Sequence, residues 1–301
     1  MPQAESSTLA RPMKHFAVIG HPVQHSRSPA IHQAFARQFG HRIRYERLHA
    51  APGSLIDVLE AFRAGGGDGV NITLPFKLEA YELCHQRGPR AVAAAAVNTI
   101  SFRDGLVVGE NTDGLGLVDD LHQRLAFGLH GASVLMFGAG GASRGVLAPL
   151  FEAGCSRVTL VNRDLLKLSH MVEQFKMAQT TLAVQNPSHA RLDHCSYAEL
   201  PARASSQRWD LLINATSAGL NAQALEVPAD IFAAAGLAYD MVYAAQPTAF
   251  MQQAIAAGCP QVCDGLGMLV GQAAHAYAIW QGLMPDTMPV YQELRSAIDA
   301  A

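Results

Sequence analysis

Short apolar runs alternate with stretches of helical spacing along most of this chain. Phe16-Ala17-Val18-Ile19 is unbroken apolar sequence, as expected of a short strand with both faces buried. After a polar loop over 20–27, Ile31, Phe35 and Phe39 share one face of a helix predicted over 28–39, with Ser28 as N-cap and Pro29 in its first turn. The pattern then predicts a strand at 42–48, a helix at 54–64 stopped by Gly65-Gly66-Gly67, and a strand at 69–73. Helical spacing resumes at 77–83. Residues 97–102 and 106–109 read as a hairpin turning at Arg103-Asp104-Gly105.

Asn111-Thr112-Asp113-Gly114 punctuates the chain, and the amphipathic stretch 115–125 reads as a bridge to a second unit. Further strands are predicted at 133–137, 157–161, 209–214, 237–242 and 261–263. Helices follow at 145–152, 165–175, 248–256, 268–281 and 290–300, whereas 176–194 has no clear period. Strand followed by helix, repeated along 301 residues, predicts an α/β protein of two units at roughly 150 residues each.

One junction has chemistry of its own. The strand at 133–137 runs into Gly138-Ala139-Gly140-Gly141-Ala142 and then into a helix. Backbone N–H groups and the positive end of a helix dipole make such a turn a phosphate cradle, and glycine allows close approach. The turn departs from G-x-G-x-x-G at Ser143.

Half of the residues are hydrophobic, 16% are charged and the net charge is -3, so no basic excess points to nucleic acid. The longest apolar runs, such as 91–97, are far shorter than the roughly 18 residues of a membrane span. Residues 1–14 are polar, with Ser6, Ser7 and Thr8, and lack the apolar stretch of a signal peptide; 1–13 read as a disordered lead-in. Five scattered cysteines fit buried thiols in a reducing cytoplasm. No metal is expected: Cys259 and Cys263 have no second pair, and Pro22 interrupts the spacing of His21 and His25.

Polar residues cluster at the predicted strand ends. Ser26 and Ser28 follow the first strand, Asn71 and Thr73 end the third, Lys77 lies just beyond, Asn98 follows Val97, and Asp113 opens a helix. Open α/β sheets bind ligands at strand carboxyl ends, and these groups suit a small, hydroxylated, anionic molecule. The serines also fit a turn and a cap, the amides loop caps, and Lys77 with Asp113 a surface salt bridge.

Taken together, Gly20-His-Pro-Val-Gln-His-Ser-Arg-Ser-Pro29, Asn71-Ile-Thr-Leu-Pro-Phe-Lys77, Ala96-Val-Asn-Thr99, Gly109-Glu-Asn-Thr-Asp-Gly114, Gly138-Ala-Gly-Gly-Ala142, Asn214-Ala-Thr-Ser-Ala-Gly219, Asp240-Met-Val-Tyr243 and Asp264-Gly-Leu-Gly-Met-Leu-Val-Gly-Gln272 resemble the shikimate dehydrogenase family in content and order. The resemblance covers about residues 14–283. It implies two α/β domains flanking a cleft: a substrate-binding domain over 1–112, a Rossmann-type NADP-binding domain over 113–264, and C-terminal helices over 265–301 returning to the first domain. The implied reaction is the reversible NADPH-dependent reduction of 3-dehydroshikimate to shikimate, in the cytoplasm, by a monomer or homodimer.

The resemblance implies that Ser26, Ser28, Thr73 and Tyr243 hold the substrate carboxylate, and that Asn71, Asn98 and Gln272 bind ring hydroxyls. Lys77 would be the acid/base, with Asp113 its partner. Gly138, Ala139, Gly140, Gly141 and Ala142 would hold the pyrophosphate, and Asn162, Arg163 and Lys167 the adenosine phosphate. Thr216, Gly265 and Met268 would lie at the nicotinamide. Asp164 departs from the family's Asn-Arg-Thr pattern, so a carboxylate stands where an NADP phosphate is expected, which leaves NAD possible. A quinate/shikimate dehydrogenase using NAD is the nearest alternative, although Ser28 stands where quinate-using relatives often carry Thr. A catalytically idle dinucleotide sensor is the alternative of another class.

Overall fold

The computed structural model describes residues 13–182, 190–216 and 224–300. The expected disorder of 1–13 lies outside them apart from Met13, as do residues 217–219 of the expected loop. The first half runs β1 (Lys14–Gly20), α1 (Ser28–Phe39), β2 (Ile43–His49), α2 (Leu55–Ala64), β3 (Gly69–Ile72), α3 (Lys77–Leu83), β4 (Gln86–Arg87), α4 (Pro89–Ala94), β5 (Thr99–Arg103) and β6 (Leu106–Glu110). These strands form one sheet in the order β2-β1-β3-β5-β6-β4. β1 pairs in parallel with β2 and β3 through helical crossovers, whereas β5 runs antiparallel to β3 and β6.

The chain continues as α5 (Asp113–Asp119), a π-helical turn at Asp120–Arg124, β7 (Ser133–Phe137), α6 (Gly141–Glu152), β8 (Arg157–Val161), α7 (Leu165–Leu182), β9 (Arg191–Cys195), α8 (Leu200–Ala204), β10 (Leu211–Asn214), α9 (Ala229–Ala234), β11 (Leu237–Asp240), α10 (Ala249–Ala256) and β12 (Val262–Cys263). Its strands form an all-parallel sheet in the order β12-β11-β10-β7-β8-β9. The order reverses between β7 and β10, the crevice where doubly wound sheets take ligands. Alternate residues of each strand feed the two faces: Val134 and Met136 enter one core, Leu135 and Phe137 the other. Burial on both faces explains the continuous apolar runs in the sequence.

The last two helices, α11 (Leu266–Gln281) and α12 (Met288–Asp299), follow the second sheet in the chain but pack on the first half. Val270, Ala274 and Tyr277 of α11, with Leu294 and Ile298 of α12, share a core with Ile31 and Phe35 of α1. Trp280 stacks on Phe16 at 4.4 Å and donates to Ile100 O at 3.1 Å. Among the described residues, no helix is long and apolar enough to cross a membrane.

Several elements escape the periodicity. α4 is only six residues long and alanine-rich, with Ala91, Ala93 and Ala94 buried, so it sets little contrast between a polar and an apolar face. β9 is an edge strand, Arg-Leu-Asp-His-Cys, only partly buried along its length. α7 extends to Leu182 through the stretch that reads as aperiodic, and the short helices α8 and α9 fall outside the predicted elements. Ser28 is the first helical residue rather than the N-cap: Arg27 holds that position, with no side-chain cap.

Candidate active site

Lys77 opens α3 as its first residue, and its carbonyl is fixed by a bond from Val97 N at 2.8 Å. Its side chain lies along the start of α6, where a Cβ at Gly141 would come within 3.2 Å of Lys77 Cβ. Its Nζ lies 2.5 Å from Asp113 Oδ2, with the two side chains 14% and 5% exposed. A surface salt bridge is therefore the wrong description of this pair. Asp113 opens α5, and Gly145 of α6 stands directly against it: a Cβ there would come within 3.1 Å of Asp113 Oδ2 and 2.8 Å of Asn111 Oδ1. Gly145 brings the helix of the glycine turn up to the ion pair.

Asn98 holds the other side of the carboxylate, its Nδ2 donating to Asp113 Oδ1 at 2.8 Å and to Thr112 Oγ1 at 2.9 Å. Its Oδ1 accepts from Thr112 N and from Thr99 Oγ1, both at 2.9 Å. Both faces of the amide are thus occupied by protein, which suits Asn98 to orient Asp113. Gln272 reaches the same point from α11, with Oε1 at 3.3 Å from Asn98 Nδ2 and Nε2 donating to Leu269 O at 2.8 Å. It gets there because α5 and α11 cross closely: a Cβ at Gly116 would lie 2.3 Å from Gln272 N. Asn71 turns its Nδ2 inward, to Thr99 Oγ1 at 3.1 Å and Asn98 O at 3.3 Å.

The serine pair lies in the loop between β1 and α1, with Ser26 Oγ donating to Ser28 Oγ at 3.1 Å. Arg47 of β2 fixes this loop by two bonds to Ser26 O, at 2.9 and 2.6 Å. Tyr243, beyond β11, is brought to the same region: burial raises its pKa, and Arg27 and Arg47 oppose that rise electrostatically. Thr73 lies just beyond β3 with its methyl over Gly20, where a Cβ would come within 2.4 Å. Two hydroxyls, a phenol and two guanidinium groups suit a carboxylate. Arg47, Thr99 and Thr112 were missed from the sequence, because only the strand pairing brings them to these partners.

The glycine turn fits a pyrophosphate. Gly138 has φ +116°, which disfavours any side chain, and Gly140 faces open space, with nothing within 4 Å of where a Cβ would be. Gly141 begins α6, so free N–H groups line the turn together with Ala139 and Ala142. Ser143, in place of the third glycine, is fully buried under the turn. Beyond β8, Asn162 Oδ1 accepts from Arg163 N at 2.8 Å, and Arg163 and Lys167 are exposed. Asp164 Oδ1 accepts from Lys167 N at 2.9 Å. Its carboxylate therefore caps α7, where the helix dipole offsets its charge.

Thr216 donates its hydroxyl to Asn214 Oδ1 at 2.7 Å at the end of β10, on the rim of the crevice. Gly265 precedes α11, where a Cβ would meet Met241 O at 2.2 Å. Met268 is 7% exposed and belongs to the core that Val134 and Met136 enter. Among the described residues, no group of three or more His, Cys, Asp or Glu is placed to hold a metal ion. The five cysteines are free and buried, and burial pushes the Cys155 thiol up to about 12.

A parallel sheet in the order β12-β11-β10-β7-β8-β9, with a glycine turn at its switch point and a buried lysine–aspartate pair against that turn, defines a Rossmann-type α/β protein. Residues 18–100 match the family model described as the shikimate dehydrogenase substrate binding domain. Residues 120–219 match shikimate / quinate 5-dehydrogenase, and 265–295 the shikimate 5'-dehydrogenase C-terminal domain. A curated relative from Methylobacillus flagellatus, shikimate dehydrogenase (NADP(+)), is 45% identical over 95% of this chain and 100% of its own. The solved structure of an Ael1 enzyme from Pseudomonas putida is 39% identical with a TM-score of 0.82, covering 93% of this chain and 98% of that one. Shikimate 5-dehydrogenase from Thermus thermophilus, solved in complex with NADP(H) and shikimate, is 34% identical with a TM-score of 0.79, covering 95% of this chain and 100% of its own. The chain belongs to the shikimate dehydrogenase family.

Proposed function

We propose that this chain catalyses the reversible, NADPH-dependent reduction of 3-dehydroshikimate to shikimate, an oxidoreductase step at a CH–OH group in chorismate and aromatic amino-acid biosynthesis. The observation that carries the reading is the buried Lys77–Asp113 pair, 2.5 Å apart and packed against the glycine turn. The relatives support it: one is named for NADP(+), and another was solved with NADP(H) and shikimate. The supporting division of the chain is a substrate-binding unit through residue 112, a dinucleotide-binding unit over 113–264, and helices over 265–301 that return to the first.

NADPH held at the glycine turn would supply the hydride for the C3 carbonyl. Lys77 has three N–H donors and gives one to Asp113, so another polarises the carbonyl oxygen and then delivers the proton the alkoxide requires. In the reverse direction the same Nζ accepts the hydroxyl proton, while Asp113 keeps the nitrogen in place. Ser26, Ser28, Thr73 and Tyr243 bind the substrate carboxylate. Asn71 and Gln272 meet the ring hydroxyls, and Asn98 acts on them chiefly through Asp113. The turn over Gly138, Ala139, Gly140, Gly141 and Ala142 holds the pyrophosphate, and Asn162, Arg163 and Lys167 the 2′-phosphate. Thr216, Gly265 and Met268 cover the nicotinamide.

The Asp164 carboxylate is engaged at the start of α7 through Oδ1, which weakens its repulsion of a 2′-phosphate, and the relatives named for NADP(+) or solved with NADP(H) support NADP over NAD. The protein acts in the cytoplasm, with which its free thiols agree, as a monomer or a homodimer. Oxidation of shikimate and of quinate, each with NADP and with NAD, followed by absorbance of the reduced cofactor, tests the reading. The expected result is the highest kcat/KM for shikimate with NADP. A preference for NAD or quinate, or no turnover of shikimate, overturns it.

A further inference from the structure

A line of hydrogen bonds leads to the lysine–aspartate pair from one side chain that the reaction as described leaves unused. Tyr45 OH donates to Asn71 Oδ1 at 2.7 Å. From Asn71 the line runs inward through Thr99 Oγ1 at 3.1 Å to Asn98 Oδ1 at 2.9 Å, and from Asn98 Nδ2 to Asp113 Oδ1 at 2.8 Å. Every step has an assignable donor and acceptor. Tyr45 stands on β2, 6% exposed, and its ring stacks on the buried His32 ring at 4.5 Å and 15°, so its hydroxyl has little freedom to move.

The direction of these bonds decides what Asn71 offers a ligand. Both of its amide hydrogens are used, on Thr99 Oγ1 and Asn98 O, and one Oδ1 lone pair is taken by Tyr45. Among the described residues Tyr45 alone is within hydrogen-bond geometry of Oδ1, so the other lone pair lets Asn71 meet a substrate hydroxyl as an acceptor. A flipped amide would set its oxygen against Asn98 O, an obligate acceptor, and would force Tyr45 OH to reverse from donor to acceptor.

We propose that Tyr45 is a positioning residue of the reaction: its hydroxyl, as donor, holds the Asn71 amide oxygen in place for the substrate, at the head of the line of hydrogen bonds that ends on Asp113. The inference rests on the function proposed above. Tyr45→Phe keeps the ring and removes the bond. It raises KM for shikimate about tenfold, the size of one hydrogen bond, and leaves KM for NADP unchanged. In an Asn71→Ala background the same substitution changes KM for shikimate less than about twofold, because the group it orients is gone. Thr99→Val, which cuts the line one step further in, raises KM for shikimate in the same way.

An unchanged KM in Tyr45→Phe, an equal loss in the Asn71→Ala background, or an equal rise in KM for NADP overturns the proposal. Wild-type protein assayed alongside separates it from the reading it rests on: absence of shikimate turnover there refutes the proposed function. Tyr45 is then judged by hydrogen exchange of the Asn71 side-chain amide, read by nuclear magnetic resonance. Exchange faster by about tenfold in Tyr45→Phe supports the positioning role, and an unchanged rate overturns it.

Discussion

At the scale of single residues, a lysine that is 14% exposed needs its charge answered nearby, and Asp113 answers it at 2.5 Å. Lys77→Ala removes the proposed proton donor but none of the groups assigned to the carboxylate. kcat is expected to fall about 10²- to 10⁴-fold with KM for shikimate within a few-fold, and steady-state assays check this. Near-normal turnover would remove Lys77 from the chemistry. His32 carries a second expectation. It is fully buried, its ring nitrogens have no hydrogen-bond partner among the described residues, and burial lowers its pKa from 6.5 to about 3. The unfolded chain takes up a proton near pH 6.5 that the folded chain refuses until about pH 3, so this stability is complete above 6.5 and is lost as pH falls. Between pH 7 and 5, wild type should lose about 2 kcal/mol more than His32→Asn in urea denaturation. Equal losses would show that His32 is not held neutral.

At the scale of elements, the site depends on close crossings that no side chain of the site itself explains. α5 brings Asp113, α11 brings Gln272, and they meet because Gly116 leaves no Cβ between them. Gly116→Ala places a methyl 2.3 Å from Gln272 N, a backbone atom that cannot step aside. The expected cost is about 1–3 kcal/mol of stability, with a raised KM for shikimate as Gln272 shifts. Gly128→Ala, where nothing lies within 4 Å, is the control and should be neutral in both measurements. A neutral Gly116→Ala would mean that the crossing is looser than described. The glycine turn has a similar double basis: Gly138 and Gly140 keep the backbone of the proposed pyrophosphate site free of side chains, while Gly145 serves the approach of α6 to Asp113.

At the scale of the whole molecule, the chain crosses between its sheets twice, through α5 going out and α11 coming back, and the return is secured by Trp280. Its indole stacks on Phe16 and bonds Ile100 O, with Gly69 beneath it, where a Cβ would lie 2.6 Å from Nε1. Trp280→Ala should cost on the order of 3 kcal/mol in urea denaturation and leave KM for NADP unchanged, since it touches only the first sheet. A change in KM for NADP would show that the docking of α11 reaches the dinucleotide site. By itself the sequence determined the two α/β units, most strands and helices, and the chemical character of the polar strand ends. Those features follow from local periodicity and from residue types whose backbone preferences act over a few positions. It did not reveal α4, β9, α8 or α9, whose patterns are too short, too uniform or too partly buried to show a period. Nor did it reveal that Asp164 caps a helix, that Asn98 is saturated by protein, or that Arg47, Tyr45, Thr99 and Thr112 belong to the site. Only the tertiary structure decided these, because each depends on bonds fixed by sheet pairing or helix docking. Asn98 meets Gln272 across 174 positions of chain, a separation at which local pattern carries no information.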